Sequence, residues 1–371
     1  MLHHKTSEAD VLIQLAKVRS QIETPDGIQS ISLLNNLRRS YPKNHEVAFY
    51  WCKIAMDFKQ YKKVIDCSQE MFSLSDSEIM KIRWTMSIAI AQLMATEIKD
   101  ALDSNSKALN LFIQLSNSGK IPRQIKEKKY LLSHQGILFV ESRLWHTLNE
   151  LKSLGIAVFP MFGTLLGLIR EGTLLQYDKD IDIGVWIEDF KGTCNYFRNK
   201  GMIQNMSVPA FDNFASFIDK ETRPTYDVCG FRRMPEKEQI VGGFWLYHRP
   251  AECQRITLFP WFDLIERKTG NGQVVWWPTN AEKILTTIYG DWRTPKPEWD
   301  SIVSALNIQP GSLLQRCYAY SRLSQHWIKG DIAKTRRYID QIEVSVPSDP
   351  LIRNCRVALD KILSLQRFHH A

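Results

Sequence analysis

Between about Ala9 and Ser118 apolar residues recur at three- and four-residue spacing with few strand signals, a pattern that predicts helices in succession. The basic stretch GKIPRQIKEKKY, Gly119 to Tyr130, interrupts this periodicity and contains Pro122, which marks a boundary. An amphipathic helix is expected over roughly His134 to Ser153. From Gly155 to about Trp277 the text changes character: Gly, Pro, aromatic and β-branched residues dominate, and short apolar/polar alternations predict strands. Beyond Pro310 helical spacing returns in SLLQRCYAYSRLSQHWIKGDIAKTRRYIDQIE and again in PLIRNCRVALDKILSLQ. The expected fold class is α+β: a mixed-sheet core over residues 131–308, with helical regions over 1–130 and 309–371.

Within the first helical region, Asn44 to Asp76 is about one tetratricopeptide period long and sets Ala55 and Tyr61 near where such a repeat wants a small residue and an aromatic. The flanking stretches Ala9 to Lys43 and Ser77 to Leu115 have similar lengths and poorer matches, so tetratricopeptide-like hairpins are expected, with an irregular bundle as the alternative. The seven cysteines are dispersed without a C-x-x-C pair, which points to reduced thiols rather than a zinc site or disulfide frame. A formal charge of +8 suits anionic substrates without choosing among them. Between Gly311 and Ala371, ten Lys/Arg stand against five Asp/Glu, read as a solvated helix face. The start MLHHKTSEAD is polar and no apolar run approaches the ~18 residues of a membrane span. A cytoplasmic location, with a peripheral position at the inner face of the membrane, is the expectation.

The most informative segment is GTLLGLIREGTLLQYDKDIDIGV, Gly163 to Val185. It joins a Gly163-Thr164 turn, a short apolar helix bearing Arg170, and a strand in which Asp180 and Asp182 alternate with Ile181 and Ile183. Successive strand side chains point to opposite faces, so the carboxylates share one face about 6.5 Å apart while the isoleucines face a core. Their mutual repulsion is roughly 2–3 kcal/mol at an effective dielectric near 20, which calls for a cation. Paired carboxylates with a third from elsewhere suit Mg²⁺ or Mn²⁺. The turn ahead of the helix is where backbone N–H groups can receive phosphate. Asp178 falls on the same face if the strand begins that early.

A third carboxylate has two candidates: Asp263 in WFDLIER, which opens a hairpin across Thr269-Gly270-Asn271-Gly272, and Asp227 in TYDVCGF. Turn, helix, Asp-x-Asp strand and a further strand carboxylate resemble the nucleotidyltransferase fold. Arg170, Lys179 and Arg267 are candidate phosphate partners, Arg170 the best placed. His248 and Arg249 in LYHRP are candidates for reaching an acceptor.

FGTLLGLIREG followed by YDKDIDIGV is similar to the signature of the LicD family, which includes bacterial phosphocholine transferases and, in animals, fukutin and fukutin-related protein. YGDWRTPKP, Tyr289 to Pro297, resembles the family's closing Tyr-Gly, Asp-Trp and proline element, and WFDLIER falls where the family carries a strand aspartate. The resemblance covers roughly His134 to Pro297 and ranks Asp263 ahead of Asp227. Gln176-Tyr177 and Lys179 depart from the family's usual Pro-Trp and additional acidic residue. Lys179 is expected to point away from the Asp180/Asp182 face.

The resemblance implies transfer of phosphocholine, ribitol phosphate or glycerol phosphate from a CDP-activated donor to a hydroxyl of a surface glycan, capsule or lipopolysaccharide included, with release of CMP. It further implies that Asp180, Asp182 and Asp263 hold Mg²⁺ or Mn²⁺, with Asp263 drawing off the hydroxyl proton. Gly163, Thr164 and Arg170 would face the substrate, while Tyr289 and Trp292 would fix a loop over it. The six tryptophans Trp245, Trp261, Trp276, Trp277, Trp292 and Trp299 are read as core or sugar-stacking before a choline cage. No nucleic-acid partner is expected; the helical flanks are expected to meet a peripheral membrane surface or a protein. The alternatives are a nucleotidyltransferase releasing pyrophosphate, a sugar-nucleotide glycosyltransferase, and a non-catalytic helical scaffold.

Overall fold

A computed structural model describes residues 27–120, 122, 132–178, 180–219, 225–296, 299–346 and 348–369. The chain divides into two compact units, Met1–Pro122 with Ala358–Ala371, and Arg123–Val357. Its class is the mixed α+β one expected, with helical regions at both ends of the chain.

The first unit is a run of helices: α1 (Gly27–Ser40), α2 (His45–Asp57), α3 (Tyr61–Leu74), α4 (Glu78–Met94) and α5 (Ile98–Asn117). Short polar residues start two of them. Asn44 Oδ1 accepts the Val47 N–H at 3.0 Å and Ser77 Oγ accepts that of Met80 at 3.4 Å. The apolar faces converge on Ala48, Cys52, Val64, Met71 and Trp84, and Ala55 and Tyr61 join this cluster. Trp84 is buried and donates its Nε1–H to His45 Nδ1 at 2.9 Å, so its one polar atom is satisfied.

The second unit is built on a sheet whose strands run in the order β1-β2-β5-β4-β3. Here β1 is Val158–Pro160, β2 Asp180–Trp186, β3 Ile203–Gln204, β4 Phe214–Ile218 and β5 Thr225–Met234. β2 and β5 pair in parallel, and the other neighbours along this path pair antiparallel. The far end of β5 pairs with β6 (Gln239–Phe244), which pairs with β7 (Arg255–Pro260), and β8 (Leu264–Lys268) and β9 (Val274–Pro278) form the expected hairpin.

Alternation along β2 and β5 divides the sheet's two faces. Ile181, Ile183 and Val185, with Tyr226 and Val228, pack into a core with Leu144 and Leu148 of α6 (His134–Ser153) and Phe197 of α8 (Phe190–Asn199). The opposite face carries Asp180, Asp182, Gly184 and Trp186 on β2 and Asp227, Cys229 and Phe231 on β5. Its apolar end is closed by Phe159, Phe262, Ile284 and Ile288, the last two from α9 (Ala281–Tyr289). Gly184 is needed there because a Cβ would lie 2.8 Å from Phe159 Cζ. Only the carboxylate end of this face is left open.

Three helices follow: α10 (Leu313–Ile328), α11 (Ile332–Ser345) and α12 (Pro350–His369). His326 of α10 is 8% exposed and lies with its ring centroid 4.4 Å from that of Tyr338. Burial, with Lys334, Lys329 and Arg322 nearby, pushes its pKa down to about 4. An unfolded chain takes up this proton near pH 6.5, before the folded one does. The contribution is therefore complete above pH 6.5 and is lost as pH falls toward 4. We expect the drop in unfolding free energy between pH 7 and pH 4.5 to shrink by about 2 kcal/mol in His326→Gln. Urea titrations at both pH values would test this, and an undiminished drop would contradict it.

Candidate active site

Gly163 and Thr164 begin α7 (Phe162–Arg170), which abuts the start of β2. The entry is fixed by a reciprocal pair of bonds. The Gly163 N–H donates to Asp182 Oδ2 at 3.0 Å, and the Asp182 N–H donates to Thr164 Oγ1 at 2.8 Å. A Cβ on Gly163 would overlap Asp178 Oδ2 and lie 3.2 Å from Asp182 Oδ2. Phe162 holds φ at 46°, a strained conformation for a non-glycine residue, while its ring packs on Phe231 and Phe259. The turn thus meets the carboxylates backbone-first.

Across the sheet, Asp182 pairs in register with Asp227, and Asp227 with Ser216 of β4. Adjacent strands lie about 4.8 Å apart, so two carboxylates are held side by side. The consequence is electrostatic. Burial first, then the charges of Asp180, Asp178 and Asp227, push the Asp182 pKa well above the usual carboxylate range, against the Gly163 N–H, which lowers it. Burial and Asp180 push Asp227 up to about 7, with Ser216 opposing. Asp227 Oδ1 is buried and has no hydrogen-bond partner. Burial and the same carboxylates also raise the Cys229 thiol.

These groups line a cavity of about 590 Å³. Asp178, Asp180, Asp182 and Asp227 share its wall with Gly163, Arg170, Tyr289 and Trp292. Arg170 bonds Glu171 Oε1 (2.8 Å), the Trp292 carbonyl (3.2 Å) and the Tyr177 hydroxyl (3.2 Å), so it ties α7 to the segment after α9 while edging the cavity. Tyr289 is buried, with its ring 4.4 Å from Trp299. Burial and the charges of Asp182 and Asp178 raise its phenol pKa.

Of the residues expected at the site, the structure brings together Asp180, Asp182, Gly163, Arg170, Tyr289 and Trp292, with Thr164 behind them. It does not bring Asp263. That residue is exposed just ahead of β8, its N–H donates to Thr279 Oγ1 at 3.1 Å, and it is not among the residues lining the cavity. The place beside Asp182 is taken by Asp227. Arg267 lies over the Trp277 ring, 4.1 Å from its centroid, at a separate pocket, and His248 is exposed away from the carboxylates. Lys179 and Pro297 lie outside the described residues. Trp292 and Trp299 line the cavity, whereas Trp245 is buried and donates to the Gly242 carbonyl at 3.0 Å. The sequence reading had no place for Arg255 and Thr257, which also line the cavity. Their signal was the polar-apolar alternation in RITLF, too short to separate from an ordinary strand.

Residues 155–274 match the LicD family, described as LicD/FKTN/FKRP, nucleotidyltransferase domain. The match takes in the turn, α7, β2 and β5, and ends before Tyr289 and Trp292. No curated protein matches the chain.

Proposed function

We propose that this LicD-family transferase domain moves a phospho-alcohol from a CDP-activated donor to a glycan hydroxyl and releases CMP. The observation that carries the reading is the paired register of Asp182 and Asp227 beneath the Gly163 turn, in a cavity large enough for substrate. Mg²⁺ or Mn²⁺ is characteristically held by one or two carboxylates and completed by phosphate oxygens and water, a role open to the carboxylates that line this cavity. Asp180 and Asp182 are hard oxygen donors on one face of β2 at the cavity wall, and they would hold the ion. When bound, it would neutralise the donor diphosphate.

The protein's own residues supply the rest. The Gly163 N–H orients Asp182 and fixes one oxygen of the pair. Arg170, anchored on Trp292, stands at the cavity edge for the departing phosphate. Asp227 Oδ1, buried without a partner, is the atom that accepts the proton of the acceptor hydroxyl as its oxygen bonds to the distal phosphorus and the bond from that phosphorus to CMP breaks. The proton-accepting role proposed from sequence for Asp263 passes to Asp227 in this reading.

A panel of CDP-alcohols incubated with Mg²⁺ or Mn²⁺ and a glycan acceptor tests the proposal. CMP is the expected product. Pyrophosphate released from a nucleoside triphosphate, with no CMP from any CDP-alcohol, would overturn it in favour of nucleotidyl transfer. Among the described residues no helix is long and apolar enough to cross a membrane. Glycans of a surface polysaccharide, presented at the inner face of a membrane, are the acceptor class we propose.

A further inference from the structure

The first unit holds two thiols on neighbouring helices. Cys52 on α2 and Cys67 on α3 belong to one core cluster with Ala48, Val64 and Met71, and both are free. The Cys52 thiol donates a hydrogen bond to the Cys67 sulfur. Sulfurs already in contact are the starting geometry of a disulfide. The two positions are not equivalent. Cys67 lines a cavity of about 400 Å³ with Asn35, Arg38, Trp51 and Lys63, whereas Cys52 is not among the lining residues and stays on the core side. A reagent entering this cavity meets the Cys67 sulfur first.

Arg38 of α1 is held in place at that sulfur by two further acceptors. Its Nη1 donates to the Pro42 carbonyl, and its Nη2 to Glu70 Oε2 at 2.7 Å and to Cys67 Sγ at 3.7 Å. The Arg38 side chain is only 14% exposed, so solvent and salt screen its charge weakly. A thiol donor and a guanidinium aimed at one sulfur favour the thiolate, the nucleophilic form. The Cys52 hydrogen bond first, then Arg38, draw the Cys67 pKa down against burial and Glu70. The same hydrogen bond, with burial, keeps the proton on Cys52. Arg39, Lys63 and Asp66 are the other charged groups of this wall. A cysteine that serves only packing is buried and inert; here one sulfur is activated and open to a cavity, and a second stands ready beside it.

We propose that Cys67 and Cys52 form a redox-active dithiol whose oxidant is a hydroperoxide small enough to enter the Arg38 cavity. The Cys67 thiolate sulfur bonds to the terminal oxygen of the hydroperoxide as the O–O bond breaks, and the departing oxygen takes up a proton and leaves as water or an alcohol. Cys67 is then a sulfenic acid. The Cys52 sulfur bonds to the Cys67 sulfur, and the sulfenic oxygen leaves as water with the proton from Cys52. Two thiols have lost two electrons and the hydroperoxide has gained them; a small dithiol reductant restores the pair. The proposal does not rest on the transferase reading.

The test uses the full folded chain, treated with a small molar excess of hydrogen peroxide, quenched with N-ethylmaleimide and mapped by mass spectrometry without reduction. A peptide pair joined through Cys52 and Cys67 should form before any other cysteine is consumed, and dithiothreitol should reverse it. Even consumption of all seven cysteines, or Cys67 passing to sulfinic acid with Cys52 unchanged, would overturn the proposal. In Cys52→Ser the sulfenic acid should persist on Cys67 and be trapped by dimedone; a trap on Cys52 in Cys67→Ser, with none on Cys67 in Cys52→Ser, would reverse the roles and overturn it as stated. Arg38→Gln should raise the pH of half-maximal Cys67 alkylation by about 1 and slow the reaction at neutral pH by about tenfold, because less thiolate is present. An unchanged pH profile would overturn the part given to Arg38. Should Arg38→Gln not fold, the maps of the unsubstituted chain and of Cys52→Ser still decide.

Discussion

Asp182→Asn and Asp227→Asn are each expected to lower CMP release by about 100- to 1000-fold, the range for removing a single charge-stabilising group from a preorganised site. Asp263→Asn should leave it within about twofold, as for an exposed residue away from the chemistry. The two damaging variants should differ in a second respect. Asp182→Asn removes an ion-holding oxygen and weakens Mn²⁺ binding in the presence of CDP by tenfold or more, on the order of one lost charged contact. Asp227→Asn removes the proton acceptor and leaves Mn²⁺ affinity within about threefold, less than the value of one charged hydrogen bond. Both should raise the stability of the metal-free protein by roughly 1–3 kcal/mol, because each relieves repulsion between carboxylates about one strand spacing apart. Activity, calorimetry and thermal melts in chelator together decide the matter. An active Asp227→Asn, or an inactive and correctly folded Asp263→Asn, would return the third carboxylate to the hairpin.

Gly163→Ala is expected to cost about 100-fold in activity, the scale on which displacements near 1 Å act at a reacting centre. The added methyl has no room: it would overlap Asp178 Oδ2 and press to 3.2 Å of Asp182 Oδ2. Either the carboxylates swing out of place or α7 shifts and the Gly163 N–H lets go of Asp182. Both routes spoil the ion site while leaving the core on the other face of the sheet untouched. Kinetics with varied Mn²⁺, alongside a melting curve, would show this as lost metal affinity without unfolding. Unchanged Mn²⁺ affinity would mean that the turn is not part of the site.

The turn, α7 and the acidic strand were legible because their information is local. Glycine and threonine before an apolar helix, and a strict alternation of aspartate with isoleucine, dictate conformation and facing within about twenty residues. The partner of Asp182 was not legible, because a parallel pairing brings in a strand 45 positions away through a crossover, and Asp227 and Asp263 carry similar apolar flanks. Family resemblance favoured Asp263, and its own contacts show why it does not arrive: the hairpin that it opens is tied to Thr279 through the backbone and side chain alike. Arg255, which also lines the cavity, lay further out of reach. A single arginine in a short strand looks like any edge residue until Phe244, Ser301 and Gln315 are folded over it.

The parallel register of β2 and β5 also guards assembly. Sliding β5 by one residue would turn Asp227 into the apolar layer now filled by Tyr226 and Val228, and would bring those side chains out into the cavity. A carboxylate stranded among Leu144, Leu148 and Phe197 costs several kcal/mol, on the scale of the whole stability of a domain. A shifted register is therefore strongly disfavoured against the native one, so the same pairing that builds the sheet also brings the two aspartates together.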